Sequence, residues 1–198
     1  MDRAIAAEGI AGGRLVVVVG PSGAGKDTLM AFAAGRLRDR SDVIFVRRVI
    51  TRDGNAGGED HDAVSKAEFE RRLQSGGFAV SWEAHGLCYG IPAETVQQIA
   101  EGRVAVANGS RSALPHFRSV FPSLRVINVT ARPEVLAARL EARGRESREE
   151  ILRRLSRSTP TRFDDYDVVT IDNSGSIEEA GEAMVDALAK CLPVNYPR

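Results

Sequence analysis

The segment that most constrains the fold of this chain is residues 20–26, with the sequence Gly-Pro-Ser-Gly-Ala-Gly-Lys. It fits the pattern G-x-x-x-x-G-K and directly follows a continuous apolar run at residues 15–19. Such a run is typical of a strand buried on both faces of a parallel sheet. Glycines adopt backbone angles closed to other residues, so successive N–H groups can point at phosphate oxygens beside the start of a helix. The sequence therefore predicts a strand, a phosphate-binding loop and a helix from residue 25 to about residue 38.

Position 27 departs from the usual form of this loop. Asp27 lies where a Ser or Thr normally places a hydroxyl on Mg²⁺, and Thr28 comes one residue later. A carboxylate is a good Mg²⁺ ligand, so Asp27 is a candidate metal ligand, directly or through water. The predicted strand at 104–107 runs into Asn108 and not into the Asp that many P-loop enzymes carry there, which suggests that the carboxylate has been relocated. The alternative is that Asp27 only stabilises the first turn of its helix, and both interpretations stay open.

Strands and helices alternate along the rest of the chain. Further strands are predicted near residues 43–50, 78–82, 104–107, 125–129 and 167–171, with a polar loop at 51–62. Helices are predicted at 92–101, 112–120 and 134–143, and others begin at the S-x-x-E capping boxes of Ser65, Ser147 and Ser176. This order predicts an α/β fold, a P-loop-type parallel sheet flanked by helices. We expect a mobile tail at 1–13, a single domain over 14–192 and a short tail at 193–198.

Charge and cysteine content exclude several classes of function. Lys plus Arg and Asp plus Glu both total 27, so no net positive charge draws the chain onto nucleic acid. Cys88 and Cys191 lack the spacing of a metal site, and free thiols favour a reduced, cytoplasmic protein. The longest apolar run is far short of the roughly 20 residues that span a bilayer. We expect small-molecule partners, with neither nucleic acid nor membrane, and the sequence leaves the oligomeric state open.

The P-loop, followed by Thr28 and Leu29, resembles that of the guanylate kinase family, and the resemblance runs from about residue 14 to residue 187. Residues 51–52, 58–59, 64–69 and 86–90 resemble that family's acceptor-binding segment, residues 139–144 its Arg-bearing lid, and residues 172–173 its adenine-side loop. The resemblance implies a guanylate-kinase-like architecture with acceptor-binding and lid segments. It also implies that ATP is bound by Gly20, Pro21, Ser22, Gly23, Ala24, Gly25, Lys26, Asp27, Thr28, Asp172 and Asn173.

The positions that would read a guanine base hold other side chains. Ser81, Ile91 and Asn108 occupy places where guanylate kinases have a Glu, a Ser or Thr, and acidic residues. A buried guanine would leave N–H donors unpaired there. With Asp at position 27, residues 50–53, 58–61, 86–90 and 108–111 closely resemble the family of ribose 1,5-bisphosphate phosphokinases, enzymes of phosphonate utilisation. That resemblance implies ATP-dependent phosphorylation of ribose 1,5-bisphosphate to 5-phosphoribosyl 1-diphosphate, with release of ADP.

The same resemblance implies a role for each side chain of the site, with ATP and Mg²⁺ as cofactors. The implied catalytic residues are Lys26 and the lid residues Arg139, Arg143 and Arg145, the implied metal ligand is Asp27, and the implied acceptor-binding residues are Arg52, Glu59, His61, Tyr89, Asn108 and Arg111. A guanylate kinase of altered pocket, or a kinase of another small phospho-acceptor, is one alternative. A non-catalytic guanylate-kinase-like scaffold is another, although such scaffolds tend to lose the P-loop Lys that this chain keeps.

Overall fold

The computed structural model describes residues 13–52, 60–142, 163 and 165–192. The strands are β1 (Arg14–Val19), β2 (Val43–Phe45), β3 (Val49–Ile50), β4 (Asp62–Ala63), β5 (Phe78–Ala84), β6 (Leu87–Pro92), β7 (Val104–Asn108), β8 (Arg125–Thr130) and β9 (Asp167–Asp172). The helices are α1 (Lys26–Arg36), α2 (Lys66–Gln74), α3 (Glu94–Ala100), α4 (Leu114–Val120), α5 (Pro133–Glu141) and α6 (Ile177–Ala189), and a 3₁₀ turn (Arg111–Ala113) precedes α4.

The larger sheet has five parallel strands in the order β2-β7-β1-β8-β9. Its centre is β1, whose apolar residues are buried on both faces because successive side chains alternate between them. Val16 and Val18 pack into the core that contains α1 and α6, and Leu15 and Val17 pack into the core that contains α4. The parallel sheet predicted from the alternating pattern is therefore confirmed.

A second, smaller sheet lies beside the first and has the order β4-β3-β6-β5, with β6 antiparallel to both β3 and β5. The prediction of one strand over residues 43–50 is wrong, because β2 pairs with β7 in the larger sheet whereas β3 pairs with β6 in the smaller one. Strand β6 was not predicted. It follows β5 through a tight turn in which His85 and Gly86 both have positive φ, 52° and 75°, the geometry that joins two antiparallel strands.

Two of the three predicted capping boxes begin helices in the structure. The amide of Glu68 donates to Ser65 Oγ at 3.2 Å at the start of α2, and the amide of Glu179 donates to Ser176 Oγ at 3.1 Å at the start of α6. The box at Ser147 lies outside the described residues. The two tails lie almost wholly outside them as well, so the domain limits stay predictions. Among the helices that the structure describes, none combines the length and apolar character needed to cross a bilayer.

Candidate functional site

The loop between β1 and α1 is held tightly against two other segments. Gly20 has φ 153°, and a Cβ atom there would lie 2.2 Å from the carbonyl oxygen of Val129 in β8. Gly25 has φ 88° and precedes the first turn of α1, and a Cβ there would lie 2.4 Å from the side-chain nitrogen of Asn173. Both the backbone angles and the close contacts require glycine, since any Cβ would force the neighbouring segments apart. The sequence pattern thus folds into the strand, loop and helix arrangement that is typical of phosphate-binding loops.

Lys26 is the first residue of α1, and its ammonium group lies over the loop. Its Nζ donates to the carbonyl oxygens of Gly20 at 3.0 Å and Pro21 at 3.3 Å. A lysine ammonium has three donors and a compact charge. Its charge therefore adds to the partial positive charge of the helix N-terminus at the same place. This is an electrostatic setting suited to the outer phosphates of a nucleotide.

Asn173, which follows β9, supports the P-loop from the side. The residue is 1% exposed, and its Nδ2 donates to the carbonyl oxygen of Ala24 at 2.7 Å. Arg139 of α5 in turn donates from Nη2 to the carbonyl oxygen of Asn173 at 2.9 Å. Asn173 Oδ1 and Arg139 Nη1 are buried and have no hydrogen-bond partner among the described residues. The exposed Asp172 accepts a hydrogen bond from the amide of Ser174 at 3.0 Å.

A cleft of about 530 Å³ separates the P-loop from the smaller sheet. On its donor side, eight of the predicted ATP-binding residues line it: Gly20, Pro21, Ser22, Gly23, Gly25, Lys26, Asp27 and Thr28. Four of the predicted acceptor-binding residues line the same cleft: Arg52, Tyr89, Asn108 and Arg111. The structure therefore brings two groups, predicted from separate parts of the sequence, into the lining of one cleft.

Other predicted site residues lie elsewhere. Ala24 is buried beneath the loop, and Asp172, Asn173 and Arg139 are not among the described residues that line the cleft. His61 is 7% exposed and precedes β4, also away from the described lining. Glu59, Arg143 and Arg145 lie outside the described residues. The catalytic role of the lid arginines and the acceptor-binding roles of Glu59 and His61 stay predictions.

A hydrogen bond joins Asp27 to Asn108, two residues 81 positions apart, with Asn108 Nδ2 donating to Asp27 Oδ1 at 2.6 Å. It forms because β7 lies beside β1, so the carboxyl end of β7 reaches the start of α1. Asn108 is 3% exposed and holds the carboxylate by one oxygen. Within the described part of the chain, no three His, Cys, Asp or Glu side chains form a metal cluster. A single carboxylate beside a phosphate site nevertheless suits Mg²⁺, which keeps several waters and binds substrate phosphates.

The acceptor side contains a cationic residue that the sequence analysis did not identify. Arg48 is 8% exposed and lines the cleft, and its guanidinium carbon lies 5.6 Å from the ring centroid of Trp82 and 5.1 Å from that of Tyr89. The two rings stack on each other at 5.3 Å with an angle of 9° between their planes. An Arg inside the apolar stretch at residues 43–50 was the available signal. His85, at the exposed turn between β5 and β6, also reaches the cleft.

The charges that line the cleft are strongly unequal. The described lining residues include four permanent cations, Lys26, Arg48, Arg52 and Arg111, and one carboxylate, that of Asp27. Burial lowers the pKa of Arg111 below its ordinary value, because a charged guanidinium loses hydration there. The cleft therefore favours ligands with several negative charges, which would restore the lost solvation.

The three guanine-reading positions supply no carboxylate to the cleft, since they hold Ser81, Ile91 and Asn108. Ile91 is fully buried in the core beneath the smaller sheet, and Ser81 pairs with Gly90 across β5 and β6. Neither is among the described residues that line the cleft. Asn108 does line it, with its amide nitrogen donating to Asp27, so this position offers the cleft an amide where guanylate kinases have an acidic residue.

Comparisons with known proteins agree with this geometry. The family profile described as guanylate kinase matches residues 12–191. A protein of Agrobacterium fabrum named ribose 1,5-bisphosphate phosphokinase PhnN is 56% identical over 183 residues, which cover 92% of this chain and all of that protein. A protein of the same name from Rhizobium etli is 61% identical over 176 residues, 89% of either chain. The crystal structure of guanylate kinase from Anaplasma phagocytophilum superposes with a TM-score of 0.65 at 20% identity, covering 93% of this chain and 91% of that one. The expected guanylate-kinase-like fold is confirmed.

Proposed function

The chain belongs to the guanylate kinase family, and from this membership we propose that it transfers a phosphoryl group from ATP to the 1-phosphate of ribose 1,5-bisphosphate. The products are 5-phosphoribosyl 1-diphosphate and ADP. The relatives with 56% and 61% identity are named for this substrate, and they match nearly the whole chain. The PhnN name of these relatives connects the reaction with phosphonate utilisation. The cytoplasm, a reducing compartment that suits the free thiols Cys88 and Cys191, is the location we propose.

The charge of the acceptor wall is the observation that carries this proposal. Arg48, Arg52 and Arg111 line the cleft, and the one carboxylate among the described lining residues belongs to Asp27 on the P-loop helix. A guanine base needs acceptors for its ring and amino N–H groups, and a buried donor that is left without an acceptor costs about 1–3 kcal/mol. A sugar with two phosphate monoesters makes no such demand, and it carries a charge of about −3 to −4 near neutral pH. The arginine-rich wall of the cleft therefore suits the sugar bisphosphate better than a guanine nucleotide.

On the donor side, the P-loop amides and Lys26 bind the outer phosphates of ATP. The fit rests on the glycine conformations, the helix N-terminus and the ammonium group that lies over the loop. Asp27 is the residue that would hold Mg²⁺, because its carboxylate lines the cleft and Asn108 fixes its orientation. When bound there, Mg²⁺ would offset negative charge on the transferring phosphoryl group.

The reaction itself needs alignment more than proton transfer. An oxygen of the 1-phosphate already carries negative charge near neutral pH, because the second pKa of a phosphate monoester is about 6. That oxygen forms a bond to the terminal phosphorus of ATP, and the bond from this phosphorus to the ADP oxygen breaks. The chain's task is to hold two anions together in line and to offset their repulsion. Lys26 does so from the donor side, and Arg111, which follows β7, does so from the acceptor side.

The lid arginines complete the proposed machinery. Arg139 is bonded to the carbonyl oxygen of Asn173 behind the P-loop, at the donor end of the site. We propose that it acts with Arg143 and Arg145 on the transferring phosphoryl group once the nucleotide is bound. Guanidinium groups bind phosphate oxygens in a forked geometry, which suits this step.

An acceptor-dependent assay of ADP release tests the proposed function. Wild-type protein with ATP and Mg²⁺ is offered ribose 1,5-bisphosphate or GMP at equal concentrations, and kcat/KM is compared. We expect the sugar bisphosphate to be used at least about a hundredfold better, since two stranded donors together cost several kcal/mol. Comparable use of GMP would leave guanylate kinase as the better description, and no turnover with either acceptor, despite ATP binding, would contradict both.

A further inference from the structure

We propose that Arg48 is a specificity-determining residue, whose guanidinium binds the phosphate of the acceptor that does not react. This inference rests on the proposed function, because it takes the acceptor to be a sugar with two phosphates. Arg48 has no part in the sequence-derived site. Its role follows from where the fold places it.

The side chain of Arg48 is buried against aromatic rings that also line the cleft. Its guanidinium is within cation–π distance of both Trp82 and Tyr89. A guanidinium is weakly hydrated and keeps its edge N–H donors when its face lies on a ring, so it can remain charged there and still bind an anion. The preceding residue makes a useful contrast, because the side chain of Arg47 is 60% exposed and pairs with Asp60 at 3.1 Å. Of these two consecutive arginines, only Arg48 lines the cleft.

The position of Arg48 in the fold assigns it to the far end of the acceptor. The reacting phosphate must lie beside Lys26, where β1 and β7 end and where Arg111 follows Asn108. Arg48 instead directly precedes β3, whose described pairings are with β4 and β6 of the smaller sheet. It therefore approaches the cleft from the wall opposite the P-loop. An acceptor with one phosphate at each end of a ribose needs a cation at both places.

The aromatic contact also explains how Arg48 contributes to selectivity. Trp82 and Tyr89 are cross-strand partners on β5 and β6 with nearly parallel rings. Aromatic faces at a ligand site can bind flat bases by stacking. Because the guanidinium of Arg48 lies against both rings, the same surface offers a positive charge that attracts phosphate. A purine could stack there only by displacing the Arg48 side chain.

Binding of two monophosphates separates the two ends of the site. Ribose 5-phosphate carries only the phosphate that does not react, and ribose 1-phosphate carries only the one that does. Trp82 is the single tryptophan of the chain, so its emission reports ligands at this wall without turnover. Each ligand is titrated into wild type, Arg48→Ala, Arg48→Lys and the matched control Arg47→Ala, and every Kd comes from its own titration curve.

We expect Arg48→Ala to weaken ribose 5-phosphate binding about 10- to 100-fold, the loss typical of a hydrogen-bonded charge pair, and ribose 1-phosphate binding less than about threefold. Arg48→Lys should fall between these values for ribose 5-phosphate, because it keeps the charge but not the planar fork. Arg47→Ala should change neither Kd. In the kinetic assay, Arg48→Ala should raise the KM for ribose 1,5-bisphosphate and leave that for ATP unchanged.

Three results would overturn the inference: an unchanged Kd for ribose 5-phosphate in Arg48→Ala, equal weakening of both monophosphates, or no binding of ribose 5-phosphate to wild type in the millimolar range. If Arg48→Ala does not fold, as judged by circular dichroism, Arg48→Lys decides by the same comparison of the two ligands. Failure of the proposed function looks different. In that case wild type does not turn over ribose 1,5-bisphosphate, whereas the ribose 5-phosphate titrations still decide the role of Arg48.

Discussion

The hydrogen bond between Asp27 and Asn108 can be measured as a coupling free energy. We consider Asp27→Ala, Asn108→Ala and the double variant, each unfolded by urea without nucleotide or Mg²⁺. The N···O distance is 2.6 Å, and the acceptor is charged. Hydrogen bonds to charged groups contribute about 1.5–3 kcal/mol. Asn108 is 3% exposed, but Asp27 is only half-buried, so water replaces part of the lost interaction.

This partial exposure sets the expected coupling at about 1–2 kcal/mol, near the lower end of that range. For a domain of this size it corresponds to roughly 2–8 °C in Tm. The cycle is needed because Asn108→Ala also removes packing from a buried position, which the single variant cannot separate from the hydrogen bond. A coupling below about 0.5 kcal/mol would refute the idea that the amide of Asn108 holds the carboxylate of Asp27 in solution.

Exchanging the two residues, Asp27→Asn with Asn108→Asp, distinguishes the hydrogen bond from the metal. The swap restores one amide and one carboxylate at the same contact, so we expect stability within about 1 kcal/mol of wild type. The carboxylate, however, moves from the P-loop helix to the end of β7. If Asp27 participates in Mg²⁺ binding, Asp27→Ala raises the Mg²⁺ concentration needed for turnover, and the swap raises it less, because its carboxylate lies where many P-loop enzymes carry an Asp. An unchanged metal requirement in Asp27→Ala would return Asp27 to the role of a helix-start residue.

Four further variants test other parts of the structure. Lys26→Ala should lower kcat by at least about a hundredfold with an unchanged far-UV spectrum, because the ammonium supports phosphate and no core packing; near-native activity would contradict the P-loop assignment. Arg111→Ala should lower kcat/KM for ribose 1,5-bisphosphate about 10- to 100-fold. Ser81→Glu alone should not create activity with GMP, and efficient GMP turnover by this variant would show that position 81 alone excludes guanine. Arg40 donates to both oxygens of the buried Asp42 at 2.8 and 2.6 Å and holds the pKa of that carboxyl below its ordinary value of 3.8. Because the folded-state pKa of Asp42 is lowered, the stability that the ion pair contributes is present above pH 3.8 and is lost as the pH falls through the lowered value. The free energy of unfolding of wild type should therefore exceed that of Arg40→Ala by about 1 kcal/mol at neutral pH, and the difference should disappear in acid. A difference that does not change with pH would contradict this account.

Local features of the sequence determined the parts of the fold in which neighbours along the chain interact. The caps of α2 and α6 are contacts over three residues, and they formed as the pattern predicted. The apolar run of β1, the glycines of the loop and the start of α1 were likewise recognisable within one short segment. The contacts that bury β1 and that leave no room for a Cβ at Gly20 and Gly25 come from distant segments.

Tertiary structure alone decided what faces the cleft. Residues 43–50 are apolar except for Arg47 and Arg48 and were predicted as one strand, but β2 and β3 join different sheets because their partners, β7 and β6, lie far along the chain. The same division places Arg48 on the Trp82–Tyr89 stack, and a contact over 81 residues joins Asn108 to Asp27. Periodicity describes which face of an element is apolar, and it carries no information about which distant strand will pair with it. The sequence therefore showed which residue types Arg48, Asn108 and Asp27 are, but it did not show that they line one cleft. Their proximity depends on the way in which the two sheets pack together.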